Sequence, residues 1–236
     1  GNTVCKLILL GNGSVGKTSI IQRFKDDGFA RVYKQTVGLD FFEKTLAIRG
    51  DKTTTLQVWD IGGQSIGSKM LGKYIFGANV CFLCYDVTDM QSFTDVEDWL
   101  GLVRRTVAVG VDAKPRVFLV GNKIDLMHLR KVTQDRHDRF IAENDLDGGF
   151  CISAQSGDAV QTAFYKVAAE QAGITLSAHE LAFTEKVLSV SVVAAGAHDE
   201  GMDDEEAKRI EAEDLAAEEE KRKREGKGCS GGCAIM

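Results

Sequence analysis

The feature that most constrains this chain is a glycine-containing loop between an apolar run and an amphipathic segment. Gly11–Thr18 reads Gly-Asn-Gly-Ser-Val-Gly-Lys-Thr and matches the phosphate-loop pattern G-x-x-x-x-G-K-[ST]. Val4–Leu10 before it is typical of a buried strand, and Thr18–Phe24 after it carries apolar residues at helical spacing. Backbone N–H groups at the start of such a helix point toward an anion. The sequence therefore predicts a phosphate-binding site where the strand turns into the helix.

Further strands and helices alternate along the chain. Leu39–Ile48 and Thr53–Trp59 are strand-like runs that flank a polar turn and predict a hairpin. Three later apolar runs, separated by helix-compatible segments, predict a mostly parallel sheet. The three runs are Val80–Asp86, Arg116–Gly121 and Gly149–Ser153, and the helices are Gln91–Val109, Thr133–Glu143 and Asp158–Ala172. Together these elements predict an α/β fold, a six-stranded mostly parallel sheet with helices on both faces.

The composition changes near the carboxyl end. Asp199–Glu220 contains 12 acidic and 2 basic residues, and Lys221–Gly228 contains 5 basic residues and 1 acidic residue. The formal net charge of −6 therefore comes from this tail. We predict one folded nucleotide-binding domain over residues 1–175 and a flexible tail over residues 176–236, partly disordered or forming a solvated helix.

The apolar runs and the cysteines indicate the cellular environment in which the protein is expected. No run approaches the ~20 apolar residues of a membrane-spanning helix, and no secretory signal is apparent, so we expect an intracellular protein. Its six cysteines are then expected to be thiols. Cys81 and Cys84 form a C-x-x-C pair, but a strand directs them to opposite faces, which disfavours a zinc or redox site.

Three residues are candidates for binding phosphate and magnesium. Lys17 offers a compact cation to the β- and γ-phosphates, and the Thr18 hydroxyl is a hard oxygen ligand for Mg²⁺. Asp60 ends an apolar strand, and from the carboxyl edge of the sheet it can hold the same ion; a solvated aspartate at a strand end is the alternative. The remaining loop residues expected around the nucleotide are Gly13, Ser14, Val15, Gly16 and Ser19.

A second motif indicates which base is bound. Asn122-Lys123-Ile124-Asp125 follows an apolar strand. The Asp125 carboxylate can accept hydrogen bonds from the N1–H and the exocyclic amine of guanine, whereas adenine has no such donor pair. A buried carboxylate left without donors is costly, so guanine is favoured over adenine. An ATP-using phosphate-loop enzyme is the disfavoured alternative.

In this order the motifs resemble those of the small GTPases of the Ras superfamily, and within it the Rab branch, over residues 3–174. The resemblance implies binding of GTP and GDP with Mg²⁺ and slow hydrolysis of GTP, accelerated by an activating protein. It also implies that Phe29 stacks on the edge of the base and that Tyr33 closes over the nucleotide. Thr36 would join the magnesium shell when the γ-phosphate is present.

The resemblance assigns further roles around the reacting phosphate and the base. Gly63 would donate its N–H to the γ-phosphate, and Gln64 would orient the attacking water, with Lys17 and Thr36 completing the catalytic set. In Ser153-Ala154-Gln155 the Ala154 amide would support the base, although many relatives have lysine in place of Gln155.

One segment departs from most Rab sequences. Trp59–Gln64 reads Trp-Asp-Ile-Gly-Gly-Gln instead of Trp-Asp-Thr-Ala-Gly-Gln, and with Ile66–Ala78 it resembles the divergent Rab twenty-eight group. Gly62 adds backbone freedom beside Gln64, so we expect slow intrinsic turnover. Residues 61–77 are expected to be a switch that the γ-phosphate orders; a flexible surface loop is the alternative.

The final residues suggest a membrane anchor. Cys233–Met236 is a C-a-a-X sequence whose methionine favours a farnesyl group on Cys233. Lys221–Arg224 and Lys227 would supply the second signal, at ~1 kcal/mol per basic residue near an anionic leaflet. Cys229 is a candidate for palmitoylation or an unmodified thiol.

These features predict a switch that recruits effectors in vesicle traffic, on endosomal or ciliary membranes. The expected partners are an exchange factor, an activating protein, effectors, a prenyl transferase, a prenyl-binding chaperone and the membrane surface, but no nucleic acid. The protein is expected in the cytoplasm and reversibly on the cytoplasmic face of membranes. The alternative is a slowly hydrolysing GTP-binding scaffold that acts through tail-mediated assembly and retains GTP permanently.

Overall fold

The computed structural model describes residues 1–26, 39–63, 71–108 and 114–177 and residue 180. The chain divides into two compact units, Gly1–Val192 and Val193–Met236, and the second unit lies outside the described residues. The expectations for the tail and for Cys229 and Cys233 therefore remain predictions.

The first unit is built on a six-stranded sheet within the described residues. The strands are β1 (Asn2–Leu10), β2 (Leu39–Ala47), β3 (Thr53–Ile61), β4 (Val80–Asp86), β5 (Arg116–Asn122) and β6 (Gly148–Cys151). They lie in the order β2-β3-β1-β4-β5-β6. Among these strands, only β2 and β3 pair in antiparallel fashion, as the hairpin predicts, and the other neighbours are parallel. The predicted six-stranded, mostly parallel sheet is confirmed.

The helices agree with the sequence patterns at most positions. They are α1 (Lys17–Asp26), α2 (Leu71–Ile75), α3 (Met90–Thr94), α4 (Val96–Val107), α5 (Gln134–Glu143) and α6 (Val160–Gln171), with a 3-10 helix at Ile124–Leu129. The short helix α2 and the 3-10 helix were not predicted. Within the part of the chain that the structure describes, no helix has the length and apolar character needed to cross a bilayer.

The helix predicted over Gln91–Val109 is divided at Asp95. The Asp95 N–H donates to the Gln91 carbonyl and ends α3, while the Asp95 carbonyl accepts from the Trp99 N–H and begins α4. The Asp95 carboxylate accepts a 2.6 Å hydrogen bond from Asn12 in the phosphate loop, 83 positions earlier. The apolar pattern of the sequence gives no indication of a polar contact between residues so far apart. It therefore predicted one helix where the structure has two.

Apolar cores cover both faces of the sheet. On one face, α1 and α6 meet through Phe24 and Phe164, whose stacked ring centroids lie 3.9 Å apart. On the other face, α4 buries Trp99 and Val103. Every residue of β4 is buried, as expected for a parallel strand covered on both sides. The rigid core thus holds the carboxyl ends of the strands in place.

The C-x-x-C pair is part of these cores. Cys84 belongs to the cluster with α1 and α6, and Cys81 to the cluster on the other face, as predicted from strand alternation. Both thiols are free, and burial raises the pKa of Cys84 to about 12. No group of three or more His, Cys, Asp or Glu side chains is placed to hold a metal ion among the described residues. Buried on opposite faces of the sheet, the two side chains pack as core residues.

A capping interaction lies just after residue 175. The Ser177 hydroxyl accepts from the Glu180 N–H at 3.3 Å, and the Glu180 carboxylate accepts from the Ser177 N–H at 2.9 Å. This reciprocal arrangement is a capping box. Glu180 also forms an ion pair with Arg49 in the β2–β3 turn. Chain segments beyond the predicted domain end thus contact the sheet hairpin.

Candidate nucleotide-binding site

The motifs meet at one edge of the sheet. The phosphate loop follows β1, Asp60 lies near the end of β3, Asn122 ends β5, and Ser153 follows β6. Because β1, β3, β5 and β6 run in parallel, these ends lie on the same side of the sheet. Ligands of open α/β sheets bind at this carboxyl edge.

The backbone of the phosphate loop requires glycine at two positions. Gly11 and Gly16 have φ values of +144° and +95°, in the region that favours glycine. A Cβ on Gly11 would overlap the Cys84 carbonyl, and one on Gly16 would overlap the Asn122 amide. A Cβ on Gly13, in contrast, would meet no atom of the described residues within 4 Å. The loop is thus packed tightly toward the protein and is open at Gly13.

Lys17 is held at the start of α1 with its ammonium group inside the loop. The side chain is 6% exposed, and its Nζ donates to the carbonyls of Gly11 at 2.7 Å and Asn12 at 2.8 Å. Burial lowers the pKa of Lys17, while Cys84 and Asp60 oppose this change. Two of the three ammonium donors bond to these carbonyls, which leaves the third for a phosphate oxygen.

Thr18 and Asp60 form the oxygen pair expected for magnesium. The Thr18 Oγ1 lies 2.5 Å from Asp60 Oδ2, and Asp60 is 2% exposed. Mg²⁺ takes hard oxygen ligands and binds through one or two side chains together with phosphate oxygens and water. A hydroxyl and a carboxylate beside the phosphate loop therefore fit a nucleotide-bound Mg²⁺.

Gly63 lies directly against the phosphate loop. A Cβ at this position would overlap the Gly13 nitrogen and the Asn12 carbonyl. Only glycine permits this approach. The backbone of Gly63 is therefore beside the loop that is expected to hold the terminal phosphate. The four other residues predicted near the reacting phosphate or the base, Phe29, Tyr33, Thr36 and Gln64, lie outside the described residues.

Asn122 connects the phosphate side of the site with the base side. Its Nδ2 donates to the Val15 carbonyl at 2.9 Å, and its Oδ1 accepts from the Ala154 N–H at 3.0 Å. Asn122 is 1% exposed, so both bonds are buried. The Ala154 N–H that was expected at the base donates to Asn122 in this structure.

Asp125 is oriented by a neighbouring hydroxyl. Its Oδ1 accepts from the Ser153 Oγ at 2.6 Å, and the Ser153 Oγ accepts from the Ser156 N–H at 3.0 Å. Ser153 is fully buried, whereas Asp125 is exposed. One carboxylate face is thus fixed by the protein while the side chain remains accessible to a ligand.

The comparisons with known proteins agree with this geometry. The sequence profile of the Ras family matches residues 6–172. The chain is 39% identical over 190 residues to the Ras-related protein Rab-28 of Caenorhabditis elegans, which covers 80% of this chain and 76% of that relative. The chain belongs to the Rab family of small GTPases. As a Rab GTPase it binds GTP and GDP with Mg²⁺ and hydrolyses GTP to GDP and phosphate.

Two further relatives have the same family assignment. The Ypt/Rab-type GTPase YPT7 of Saccharomyces cerevisiae is 35% identical over 171 residues, covering 70% of this chain and 80% of the relative. The Ras-related protein Rab-13 of Mesocricetus auratus is 37% identical over 163 residues, covering 69% and 77%. The predicted family is therefore confirmed. As a Rab protein, the chain belongs to the small GTPases of vesicle trafficking.

The structure of this Rab protein adds contacts that the sequence patterns did not predict. Arg23 of α1 donates to the carbonyls of Ala154 at 2.9 Å and Gln155 at 2.5 Å. Lys123 has a φ of +70° and donates to the Ser14 carbonyl at 3.0 Å. Its Nζ also lies 2.7 Å from the Asp86 carboxylate. These contacts attach the base-binding loops to the phosphate loop across long stretches of sequence, for which no local pattern exists.

An aromatic surface of the Rab domain was also missed. Phe41 packs edge-on against Trp59 at 5.2 Å between ring centroids, and Tyr74 lies 6.3 Å from Trp59. Phe41 is 44% exposed, and Lys6 Nζ lies 4.6 Å above the Trp59 ring. Phe41 and Trp59 face each other in the antiparallel register of β2 and β3. Pairing the two predicted strands around their turn would have brought Phe41 close to Trp59.

Proposed function

We propose that this Rab GTPase is a membrane-cycling switch in endosomal or ciliary vesicle traffic. The observation that carries the proposal is the position of Gly63 against the phosphate loop, beside the Thr18–Asp60 pair. A residue so close to the terminal phosphate site can respond to the presence or loss of the γ-phosphate. Loss of that phosphate would release the segments that contact it, and this release is the signal.

The phosphate side would act mainly by position and charge. Lys17 would bind the β- and γ-phosphates. Thr18, Asp60 and Thr36 would hold Mg²⁺, which neutralises part of the negative charge of the phosphates. Gly63 would donate its N–H to the γ-phosphate, and Gln64 would orient a water toward the γ-phosphorus. As the water oxygen bonds to phosphorus, the bond to the β–γ bridging oxygen breaks, which yields GDP and phosphate. The phosphate-loop residues surrounding the nucleotide would be Gly13, Ser14, Val15, Gly16 and Ser19.

The base side would select guanine. The Asp125 carboxylate, held by the Ser153 hydroxyl at 2.6 Å, would accept from the N1–H and amine of the base. Asn122 and Lys123 would hold this corner against the phosphate loop, as their contacts with Val15 and Ser14 support. The remaining residues proposed around the base and ribose are Phe29, Tyr33, Ala154 and Gln155.

Partners would read the nucleotide state at the aromatic surface of Phe41, Trp59 and Tyr74. Exposed apolar rings on a sheet face are typical of protein interaction sites. Tyr74 follows the segment that contains Gln64, so the surface and the reacting phosphate share one stretch of chain. We propose effectors as its GTP-state partners, with an exchange factor and an activating protein setting the rates.

The tail would hold the switch on a membrane. With Cys233 farnesylated by a prenyl transferase, a prenyl-binding chaperone would carry the protein in the cytoplasm between membranes. One lipid chain binds only weakly, and the basic run Lys221–Arg224 would add attraction to anionic lipids on the cytoplasmic face.

The first experiment tests the nucleotide site. The purified protein is loaded with fluorescent GDP, and displacement by GTP, GDP and ATP is measured with and without Mg²⁺. We expect GTP and GDP to compete, ATP not to compete, and removal of Mg²⁺ to accelerate release. Competition by ATP equal to that by GTP would overturn the guanine assignment.

The second experiment tests the effector surface. Proteins retained by the GTP-analogue form are compared for the parent, Phe41→Ala and Met127→Ala. Met127 is 60% exposed on the 3-10 helix and serves as the matched control. We expect Phe41→Ala to lose the GTP-dependent partners and Met127→Ala to keep them; equal retention by all three would refute the surface.

The third experiment tests the anchor on vesicles that contain phosphatidylserine. Farnesylated full-length protein is compared with Cys233→Ser and with alanine in place of Lys221–Arg224. We expect no binding without the lipid and weaker, salt-insensitive binding without the basic run. Mass spectrometry of the terminal peptide from cells shows whether Cys233 carries the lipid, and imaging of the anchored protein shows which membrane it occupies.

A further inference from the structure

The side chain of Asn12 joins the phosphate loop to the helices behind it. Asn12 is the second residue of the loop motif, a position at which the pattern accepts any residue. Its Oδ1 accepts from Trp99 Nε1 at 2.9 Å, and its Nδ2 donates to Asp95 Oδ2 at 2.6 Å. The side-chain amide thus uses a donor and an acceptor at once.

The two partners of Asn12 are themselves fixed. Trp99 is 1% exposed and packs in the core beneath α4. Asp95 lies at the junction of α3 and α4, and its second carboxylate oxygen accepts from Gln91 Nε2 at 2.7 Å. Asn12 is therefore bonded to a rigid part of the domain rather than to a mobile side chain.

The backbone of Asn12 contacts the two groups expected at the γ-phosphate. Its carbonyl accepts from Lys17 Nζ at 2.8 Å. The same carbonyl lies so close to Gly63 that a Cβ there would overlap it. Rotation of the Asn12 peptide would therefore displace both Lys17 and Gly63.

We propose that Asn12 is a positioning residue for the reacting phosphate, acting through Lys17 and Gly63. This inference rests on the roles proposed above for those two residues. The anchoring requires a short side chain that donates to Asp95 and accepts from Trp99. Aspartate has the right length but would place two carboxylates at hydrogen-bond distance, and alanine would supply neither bond.

The inference separates the two sides of the nucleotide. Lys17 and Gly63 serve the γ-phosphate, whereas Asp125 and Ser153 contact neither Asn12 nor its partners in the described hydrogen bonds. Loss of the Asn12 anchor should slow hydrolysis and reduce the preference for GTP over GDP. Selectivity for guanine over adenine should remain unchanged, which a general loss of folding would not produce.

The decisive experiment exchanges the two side chains. Asn12→Asp is compared with Asp95→Asn and with the double variant by single-turnover hydrolysis of GTP. In the double variant, the carboxylate introduced at position 12 would accept from Trp99 and from the amide introduced at position 95. The oxygen of that amide would still accept from Gln91. We expect Asn12→Asp to be about tenfold slower than the parent, and the double variant to recover to within about twofold.

Two controls show whether the effect is specific. Glu97→Gln removes one exposed carboxylate from the same helix without touching Asn12 and should hydrolyse GTP at the parent rate. Trp99→Phe removes only the indole N–H from the network and provides a second variant if Asn12→Asp does not fold. The chain has two tryptophans, so the Trp99 indole N–H can be followed by NMR and should shift in Asn12→Ala.

The possible results are distinct. Folded Asn12→Asp and Trp99→Phe proteins with the parent rate and the parent GTP preference would overturn the inference. So would a double variant that stays as slow as Asn12→Asp. A parent protein that binds no guanine nucleotide would overturn the proposed function and the inference together, whereas normal parent binding with unaffected variants overturns the inference alone.

Discussion

The two ends of the nucleotide site are built from different parts of the chain. At the phosphate end, Lys17 donates to main-chain carbonyls, and Gly11, Gly16 and Gly63 leave no room for a Cβ. At the base end, buried side chains carry the structure, with Asn122 bonded to Val15 and Ala154.

This difference indicates what each end tolerates. A backbone cradle recognises any phosphate chain and depends on the absence of side chains at a few positions. A side-chain network recognises one pattern of donors and acceptors and depends on the identity of each residue. We therefore expect substitutions at the phosphate end to affect all nucleotides, and those at the base end to change which nucleotide is bound.

The largest effect is expected for Lys17→Ala at the phosphate end. The charged hydrogen bond from the third ammonium donor to phosphate, worth about 1.5–3 kcal/mol, would be lost together with the two bonds that hold the Gly11 and Asn12 carbonyls in place, so we expect about 10³-fold weaker binding of GTP and GDP alike. Calorimetric titration with both nucleotides checks this result. Lys25→Ala removes an exposed lysine from the same helix and should bind as the parent does; equal affinity of the two variants would contradict the prediction.

Asp125→Asn is the matching change at the base end. It should lower GTP affinity by about 10²-fold because one acceptor becomes a donor that faces the guanine amine. The same amide complements the N1–H and carbonyl of xanthine, so xanthosine triphosphate should bind better than GTP. Competition assays measure the order, with the exposed Asp135→Asn as control. Weakened binding of both nucleotides to the same degree would show that Asp125 does not read the base.

The base end also depends on a buried neutral histidine. His137 Nδ1 lies 2.9 Å from the Tyr85 hydroxyl, whose oxygen packs against Gly121, the residue before Asn122. Burial lowers the pKa of His137 to about 4, with Arg130 acting in the same direction and Asp138 against it. As the pH falls, this histidine is protonated in the unfolded state before it is protonated in the folded state. Its contribution to the free energy of unfolding is therefore complete above pH ~6.5, and that free energy decreases by roughly 3 kcal/mol as the pH falls to ~4.

His137→Gln tests this contribution because glutamine can still bond to Tyr85 but does not titrate. Urea unfolding across that pH range should show a smaller decrease in the free energy of unfolding for the variant. If the free energy of unfolding showed the same pH dependence in the parent and the variant, groups other than His137 would be responsible for the acid sensitivity.

The smallest effect is expected for Gly62→Ala beside the reacting phosphate. Alanine loses less backbone entropy on ordering than glycine, by about 0.5–1 kcal/mol, so single-turnover hydrolysis should become about two- to fivefold faster. Gly101→Ala in α4 makes the same change away from the site and should leave the rate unaltered. An unchanged rate in Gly62→Ala would remove the proposed reason for slow turnover.

Local patterns predicted most elements and the ends of the site. The apolar run before Gly11 and the hairpin around Arg49–Lys52 were predicted correctly because burial and turn chemistry are read from neighbouring residues. The break at Asp95 and the contact of Arg23 with Ala154 were not predicted. Each joins residues far apart in the chain, for which periodicity provides no signal.

The sequence by itself determined the class of fold and the phosphate loop and predicted the residues expected to bind guanine, because these depend on glycine, apolar periodicity and functional groups at fixed spacing. Only the tertiary structure decided which side chains hold those residues in place. Asn12 meets Trp99 and Asp95 because packing of α4 on the sheet brings them to the loop. Hydrogen bonds between such distant residues follow from packing and not from any local pattern.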